Sequence, residues 1–382
     1  MDAAALRPFA RRFRAACLLG AALACGCATP AGGVGGGAHD AAPPVAGVRL
    51  RSTPAASSAA GAAGEAPEVV EAPPPIGDAE AVTIVDPEGK HAEALLAACP
   101  AGSADRVACL VSQPLARDEA AVITARAMLA SSGHVVGLER AHVMEGGFRG
   151  RLQLVPEPPI GAHRKHLEWV AAATHDLDRF FGVLVRPGGP GTPPGALRYR
   201  WRALAFRFFR SVGRTTPSAY AEGWTVAYNV SGSLHTSADA VRETLFHEIF
   251  HLNDAAHQDW SRRALGPIYD AIVTRCVPGA RRGAAVTPPT ACVAPFAPND
   301  TKLKVGGYYA FHADGGVPEY AAELAIRYYR EQRRALGVVS ENEPSWSGSF
   351  KCGPPENARA WKLMADEFFG GVDHTRDCPS AP

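Results

Sequence analysis

The chain has 382 residues, 39 basic and 38 acidic side chains, and a formal net charge of +1. That balance offers no global basic field for nucleic acid. With 47% hydrophobic residues the composition supports a packed core in one large or two modest domains, and it excludes a chain disordered throughout, a coiled coil and a polytopic membrane protein.

Arg7, Arg11, Arg12 and Arg14 precede a short apolar run from Ala15 to Ala24, the pattern of a secretory signal and too short for a stable membrane span. Residues 1–28 are therefore expected to be a bacterial export signal. Ala22-Leu23-Ala24-Cys25 is similar to a lipobox, with Gly26-Cys27 as a second choice, so Cys25 or Cys27 is expected to carry a membrane-anchoring lipid; cleavage after Ala28, giving a freely secreted protein, is the alternative. Residues 29–80 are dominated by Ala, Gly, Pro and Ser and read as a disordered tether. Cys17, Cys25 and Cys27 fall in the signal. Six cysteines remain, and in an exported protein they predict disulfides, here paired in sequence order as 99–109, 276–292 and 352–378.

From 81 to 132 the pattern is helical, over 92–98, 105–111 and 116–130, broken by Pro100-Ala101-Gly102 and Pro114. This N-terminal segment is read either as structural or as a prosegment in which Cys99 or Cys109 caps a metal. Residues 133–382 are expected to form one domain. It begins with a β-hairpin (134–155) turning at Gly146-Gly147. A helix over 163–181 follows, with Leu167, Val170, Thr174, Leu177 and Phe181 on one face and His163 and His166 as a solvated pair. Strands are predicted at 183–185, 198–211 and 224–230, with a Gly/Pro loop at 187–195. A further helix spans 238–254, with Thr236 or Ser237 as its N-cap.

This last helix contains His247-Glu248-Ile249-Phe250-His251, an HExxH motif. Histidines at i and i+4 lie about 40° apart around a helix, so both imidazoles reach one ion. Glu248 is placed to act as general base on water at that ion, while Val241, Leu245, Ile249 and Leu252 form an opposite, core-seeking face. Two histidines plus one further ligand describe a catalytic zinc site with an open position. Two residues compete for the third place. His257 completes HExxHxxGxxH spacing, with Asp254 in place of the glycine and no methionine suited to a Met-turn. Glu319 lies in Pro318-Glu319-Tyr320-Ala321-Ala322-Glu323, where Pro318 suits a first helical turn and Glu319 and Glu323 share a face.

Residues 244–254 (TLFHEIFHLND) and 308–329 (YYAFHADGGVPEYAAELAIRYY) resemble the zinc-binding segments of the anthrax lethal factor-like peptidases and the Mlc titration factor A group. The resemblance covers about the catalytic third of the chain. It implies Glu319 as third ligand, Glu323 as a carboxylate behind a ligand histidine, and Asp254 as a supporting or structural group. The family's oxyanion-stabilising tyrosine maps to Tyr309 if a short insertion precedes Pro318, and to His312 without one. The fold implied is α+β and zincin-like: a mixed sheet, an HExxH active-site helix and a mainly helical C-terminal lobe. Within it Trp224–Val230 is the expected edge strand, able to pair with an extended substrate.

These residues predict an exported Zn2+-dependent metallopeptidase acting on a peptide or protein substrate. The rival readings are a metzincin with His257 as ligand and a non-catalytic zinc-binding envelope lipoprotein.

Overall fold

The computed structural model describes residues 74–102, 105–145, 150–184, 197–281, 285–303, 306–313, 315–339 and 348–379. The signal with its three cysteines, the tether up to residue 73, the turn at Gly146-Gly147, Val185 and the 187–195 loop lie outside the described residues.

Four helices come first: α1 (Asp78–Val85), α2 (Ala92–Ala98), α3 (Arg106–Ser112) and α4 (Glu119–Ser132). The first starts two residues before the expected end of the tether at residue 80. Asp118 caps α4 by accepting from the Ala121 N–H at 3.3 Å, and Gly133 ends it in the left-handed region at φ 69°. Buried side chains of α1–α4 belong to the same apolar cluster as those of the sheet and the later helices.

Six strands follow: β1 (Val135–Leu138), β2 (His142–Glu145), β3 (Arg151–Pro156), β4 (Ala205–Ser211), β5 (Ala219–Glu222) and β6 (Thr225–Asn229), with α5 (Arg164–Leu184) between β3 and β4. They form one mixed sheet in the order β2-β3-β4-β6-β5, with β1 alongside β4. β4 is its spine, parallel to β1 (Val135↔Ala205) and to β6 (Ala205↔Thr225) and antiparallel to β3 (Leu154↔Ser211). Alternation along the strands sends Phe206, Phe208, Val226 and Tyr228 to the helix-covered face. Phe209 and Ala227 meet Leu152 and Leu154 on the other.

Four strand expectations need correction. β1 is not part of the hairpin, which consists of β2 and β3 alone; β1 pairs in parallel with β4. Val183 and Leu184 form the last turn of α5. The long strand at 198–211 shrinks to 205–211, because the backbone before it is bonded elsewhere. Arg198 N–H donates to the Phe368 carbonyl, Arg200 N–H to Asn253 Oδ1 and Ala203 N–H to the Ser132 carbonyl. Finally, β6 is internal. The edge is β5, an antiparallel strand joined to β6 by a turn in which Gly223 and Trp224 both have positive φ.

The C-terminal lobe is helical: α6 (Ala238–Ala256), α7 (Trp260–Ala264), α8 (Gly266–Cys276), α9 (Thr290–Val293), α10 (Gly316–Ala335) and α11 (Pro355–Phe368). Ser237, one of the two predicted caps, accepts from the Ala240 N–H at 3.2 Å and starts α6. Val241, Leu245, Ile249 and Leu252 are buried as the amphipathic pattern requires, at about 1.5–3 kcal/mol for each large aliphatic side chain. Phe246 stacks on Tyr329 of α10 with centroids 4.3 Å apart, and Phe180 of α5 meets Tyr329 edge-on at 4.8 Å. This aromatic triad fixes α6 against α5 and α10. The three disulfides are Cys99–Cys109, Cys276–Cys292 and Cys352–Cys378, as predicted. Cys99 and Cys109 are thus committed to each other and neither caps a metal. No described helix is long and apolar enough to cross a membrane.

Candidate metal centre

His247 and His251 lie one turn apart on α6, and Glu319 lies in the first turn of α10. His247 Nε2 is 3.0 Å from Glu319 Oε2, His251 Nε2 is 3.0 Å from His247 Nε2, and His251 Nε2 is 3.6 Å from Glu319 Oε1. Ligand atoms bound at about 2.0–2.1 Å around a tetrahedral ion are separated by about 3.3 Å, and the observed spacings straddle that value. Three lone-pair donors aimed at one point repel one another unless a cation sits among them. The group therefore has the chemistry and geometry to hold a metal ion.

The electrostatics agree. Burial opposes charge on His247, yet the hydrogen bond and charge of Glu319, with Glu248 and Glu323 behind it, lift its pKa to about 9. Burial likewise disfavours the Glu319 carboxylate, but the hydrogen bond from His247 and the nearby positive charge of His247 and His251 hold its pKa well below the ordinary value. Without a metal, a proton on His247 supplies the positive charge the cluster needs.

Glu248 is raised above the usual carboxylate range, mainly by burial and further by Glu319, against the opposing pull of the two histidines. Glu323 is 3% exposed, and its Oε1 lies 3.7 Å from His247 Nδ1, at ion-pair distance. Tyr309 places its ring centroid 6.0 Å from that of His247. Burial, followed by the charges of Glu319 and Glu248, pushes the Tyr309 hydroxyl pKa up, so it remains a donor. Tyr309, one of the two residues predicted to support an oxyanion, thus stands beside His247. His312 ends the short turn Tyr309–Phe311, and its carbonyl accepts from Gly315 and Gly316 just ahead of α10.

Two predicted residues stand apart. His257 follows the end of α6, with Nδ1 2.6 Å from Glu367 Oε1 and Nε2 3.1 Å from the Arg198 carbonyl. Both ring nitrogens are committed there, and the convergent group does not include it. The Asp254 carboxylate accepts from the backbone N–H and the hydroxyl of Ser261, at 2.7 and 2.6 Å, pinning the bend between α6 and α7. The His163/His166 pair also needs revision: His166 is buried, with Nδ1 3.0 Å from the Tyr228 hydroxyl.

Sequence reasoning missed Gly315, Asn299, Thr301 and Arg330. A Cβ on Gly315 would lie 2.4 Å from Glu319 Cγ, so the third donor reaches the cluster only because that residue has no side chain. Asn299 and Thr301 both donate to Glu323 Oε2 at 3.0 Å. Nothing in the Pro- and Ala-rich stretch around them announces this, since their partner lies more than twenty positions away. Comparison with family models, curated proteins and solved structures returns no match.

Proposed function

We propose that the chain is a zinc-dependent peptide hydrolase of zincin type, exported from a bacterial cell. One observation carries this reading: His247, His251 and Glu319 converge at the spacing of ligands around a small cation, with Glu248 on the adjoining face of the same helix. A two-histidine, one-carboxylate set suits zinc and leaves a coordination position open. Bound, the zinc would polarise a scissile carbonyl and acidify water.

The chain's own groups supply the remaining steps. Glu248, its pKa raised toward neutrality, takes a proton from the attacking water and delivers it to the leaving amine. Tyr309, kept protonated by its buried and anionic surroundings, donates to the oxygen on which negative charge develops. Glu323 faces Nδ1 of His247 and so favours the tautomer whose Nε2 lone pair points into the cluster.

Support for the zincin architecture comes from element order. A long helix packs on a mixed sheet, an antiparallel edge strand precedes the HExxH helix, and a later helix brings the carboxylate. Among the described residues β5 pairs with one strand, β6, so its outer edge can take an extended peptide. The three disulfides suit a compartment outside the reducing cytosol, and a lipidated Cys25 or Cys27 would tether the enzyme to a membrane.

Glu248→Gln, with zinc content measured in parallel, tests the proposal on unstructured protein substrates. Retained zinc and loss of hydrolysis by about 100-fold or more are expected. Hydrolysis surviving in the metal-loaded variant defeats the mechanism. A zinc-loaded wild type that cleaves no member of a peptide library points instead to the non-catalytic zinc protein.

A further inference from the structure

Glu323 sits one turn after Glu319 on α10, and its two oxygens have different jobs. Oε2 accepts from Asn299 Nδ2 and from Thr301 Oγ1, both at 3.0 Å. That leaves Oε1 as the oxygen facing His247 Nδ1. Asn299 Nδ2 also donates to the Glu323 backbone carbonyl at 2.7 Å, so both amide protons of Asn299 are spent on one residue.

This arrangement needs the Asn299 amide in one of its two orientations, and Arg330 sets which. A guanidinium only donates. Its Nη1 lies 2.9 Å from Asn299 Oδ1, so the flipped amide would set N–H against N–H. Arg330 in turn forks onto Glu243, Nε to Oε1 at 2.7 Å and Nη2 to Oε2 at 2.5 Å. Glu243 lies on α6 about one turn before His247. One arginine thus references the HExxH helix, the 299–301 segment and α10 to one another.

We propose that Asn299, Thr301 and Arg330 are positioning residues for His247, acting through Glu323 to fix its Nδ1–H tautomer and hence the direction of its Nε2 lone pair. This rests on the reading of His247, His251 and Glu319 as metal ligands. Held by two donors, Glu323 cannot turn Oε1 away from the imidazole. Released, it loses its preferred rotamer and His247 is free to adopt the other tautomer.

The test is a double-mutant cycle read by zinc affinity, from competition with a chromophoric chelator, and by 15N NMR of the histidine rings in the metal-free protein at a pH well above 9, where the His247 ring is neutral and its two tautomers are distinguishable. Thr301→Val and Asn299→Ala are made in the wild type and in a Glu323→Ala background. In the wild type zinc affinity should fall several-fold for Thr301→Val and about 10-fold for Asn299→Ala, with growth of the Nε2–H signature of His247. In the Glu323→Ala background neither substitution should change affinity further. Arg330→Met should shift the same NMR signature. Losses that persist undiminished without Glu323, or an unchanged tautomer in folded variants, overturn the proposal. Asn299 is buried and its loss can compromise folding; Thr301 is exposed, and its variant decides the question alone. A wild type that takes up no zinc refutes the metal reading, and the metal-free tautomer comparison still tests the positioning set.

Discussion

Gly315→Ala isolates the geometry of the third donor. The residue precedes α10 with φ −90° and ψ −47°, angles any L-residue adopts, so the added methyl brings no backbone strain. Its Cβ would nevertheless stand 2.4 Å from Glu319 Cγ and 3.0 Å from Glu319 Cβ. Carbon–carbon contacts settle at about 3.5–4.0 Å, so relief requires Glu319 to move by about 1 Å. A shift of that size takes the carboxylate out of the 3.0 and 3.6 Å approach to the histidine nitrogens. Zinc affinity should fall by at least the roughly 10–100-fold seen when a group that holds a ligand in place is removed. Stability of the metal-free protein should change by about 1 kcal/mol or less, because a flexible side chain absorbs the clash. Chelator competition measures the first quantity and thermal unfolding without metal the second. Gly316→Ala is the counterpart. There a Cβ meets open space but φ is +61°, so the change costs about 1–2 kcal/mol of backbone strain while leaving Glu319 uncrowded. If folded Gly315→Ala binds zinc within twofold of wild type, Glu319 does not reach the ion in the way described.

Exchanging the two contenders for third ligand separates them: Glu319→Ala should abolish tight zinc binding. His257→Ala should keep it and lose only about 1 kcal/mol of stability from the broken Glu367 and Arg198 contacts; the reverse result would reinstate the metzincin reading. Acid should destabilise the fold through buried histidines. His134 and His235 are lowered from 6.5 to about 4, foremost by burial. Between those values the unfolded chain binds protons that the folded one refuses, so stability is full above pH 6.5, falls toward pH 4 and levels off below. For His134 the loss is on the order of 3 kcal/mol. Asparagine there can still accept from the Leu204 N–H, which donates to Nδ1 at 3.3 Å. Urea unfolding of His134→Asn should therefore show a shallower decline over that range, and an unchanged slope would contradict the assignment.

The parts legible in the sequence are those governed by local pattern. The amphipathic period of α5 and α6, the Ser237 cap and the HExxH spacing are all written within one or two helical turns. The ExxxE face of α10 is local too, which is why Glu319 could be weighed against His257 although they lie about sixty positions apart. The strands were harder, because a strand's neighbour is a property of the sheet. β5 is four residues long and ends in a Gly-Trp turn with both residues at positive φ; tryptophan is uncommon there, so no turn signature marked the strand. Arg198–Leu204 carries an aromatic, arginine-rich pattern suited to a strand, but its backbone donors are claimed by α4, α6 and α11. Asn299 and Thr301 were invisible because their meaning lies in an oxygen brought to them by a distant helix.

The three disulfides close loops whose ends are 10, 16 and 26 positions apart. Each therefore restrains mostly the unfolded chain nearby, by about 3 kcal/mol, and none ties α6 to α10. What holds those two helices in register is the Phe246–Tyr329 stack and the Arg330–Glu243 fork. Reducing agents and chelators should accordingly act on separate parts of the molecule: one lengthens the free chain at three corners, the other removes the charge that reconciles three lone pairs. Reduction should therefore lower the stability of the whole fold without breaking any of the direct contacts that bring the two histidines and the glutamate together.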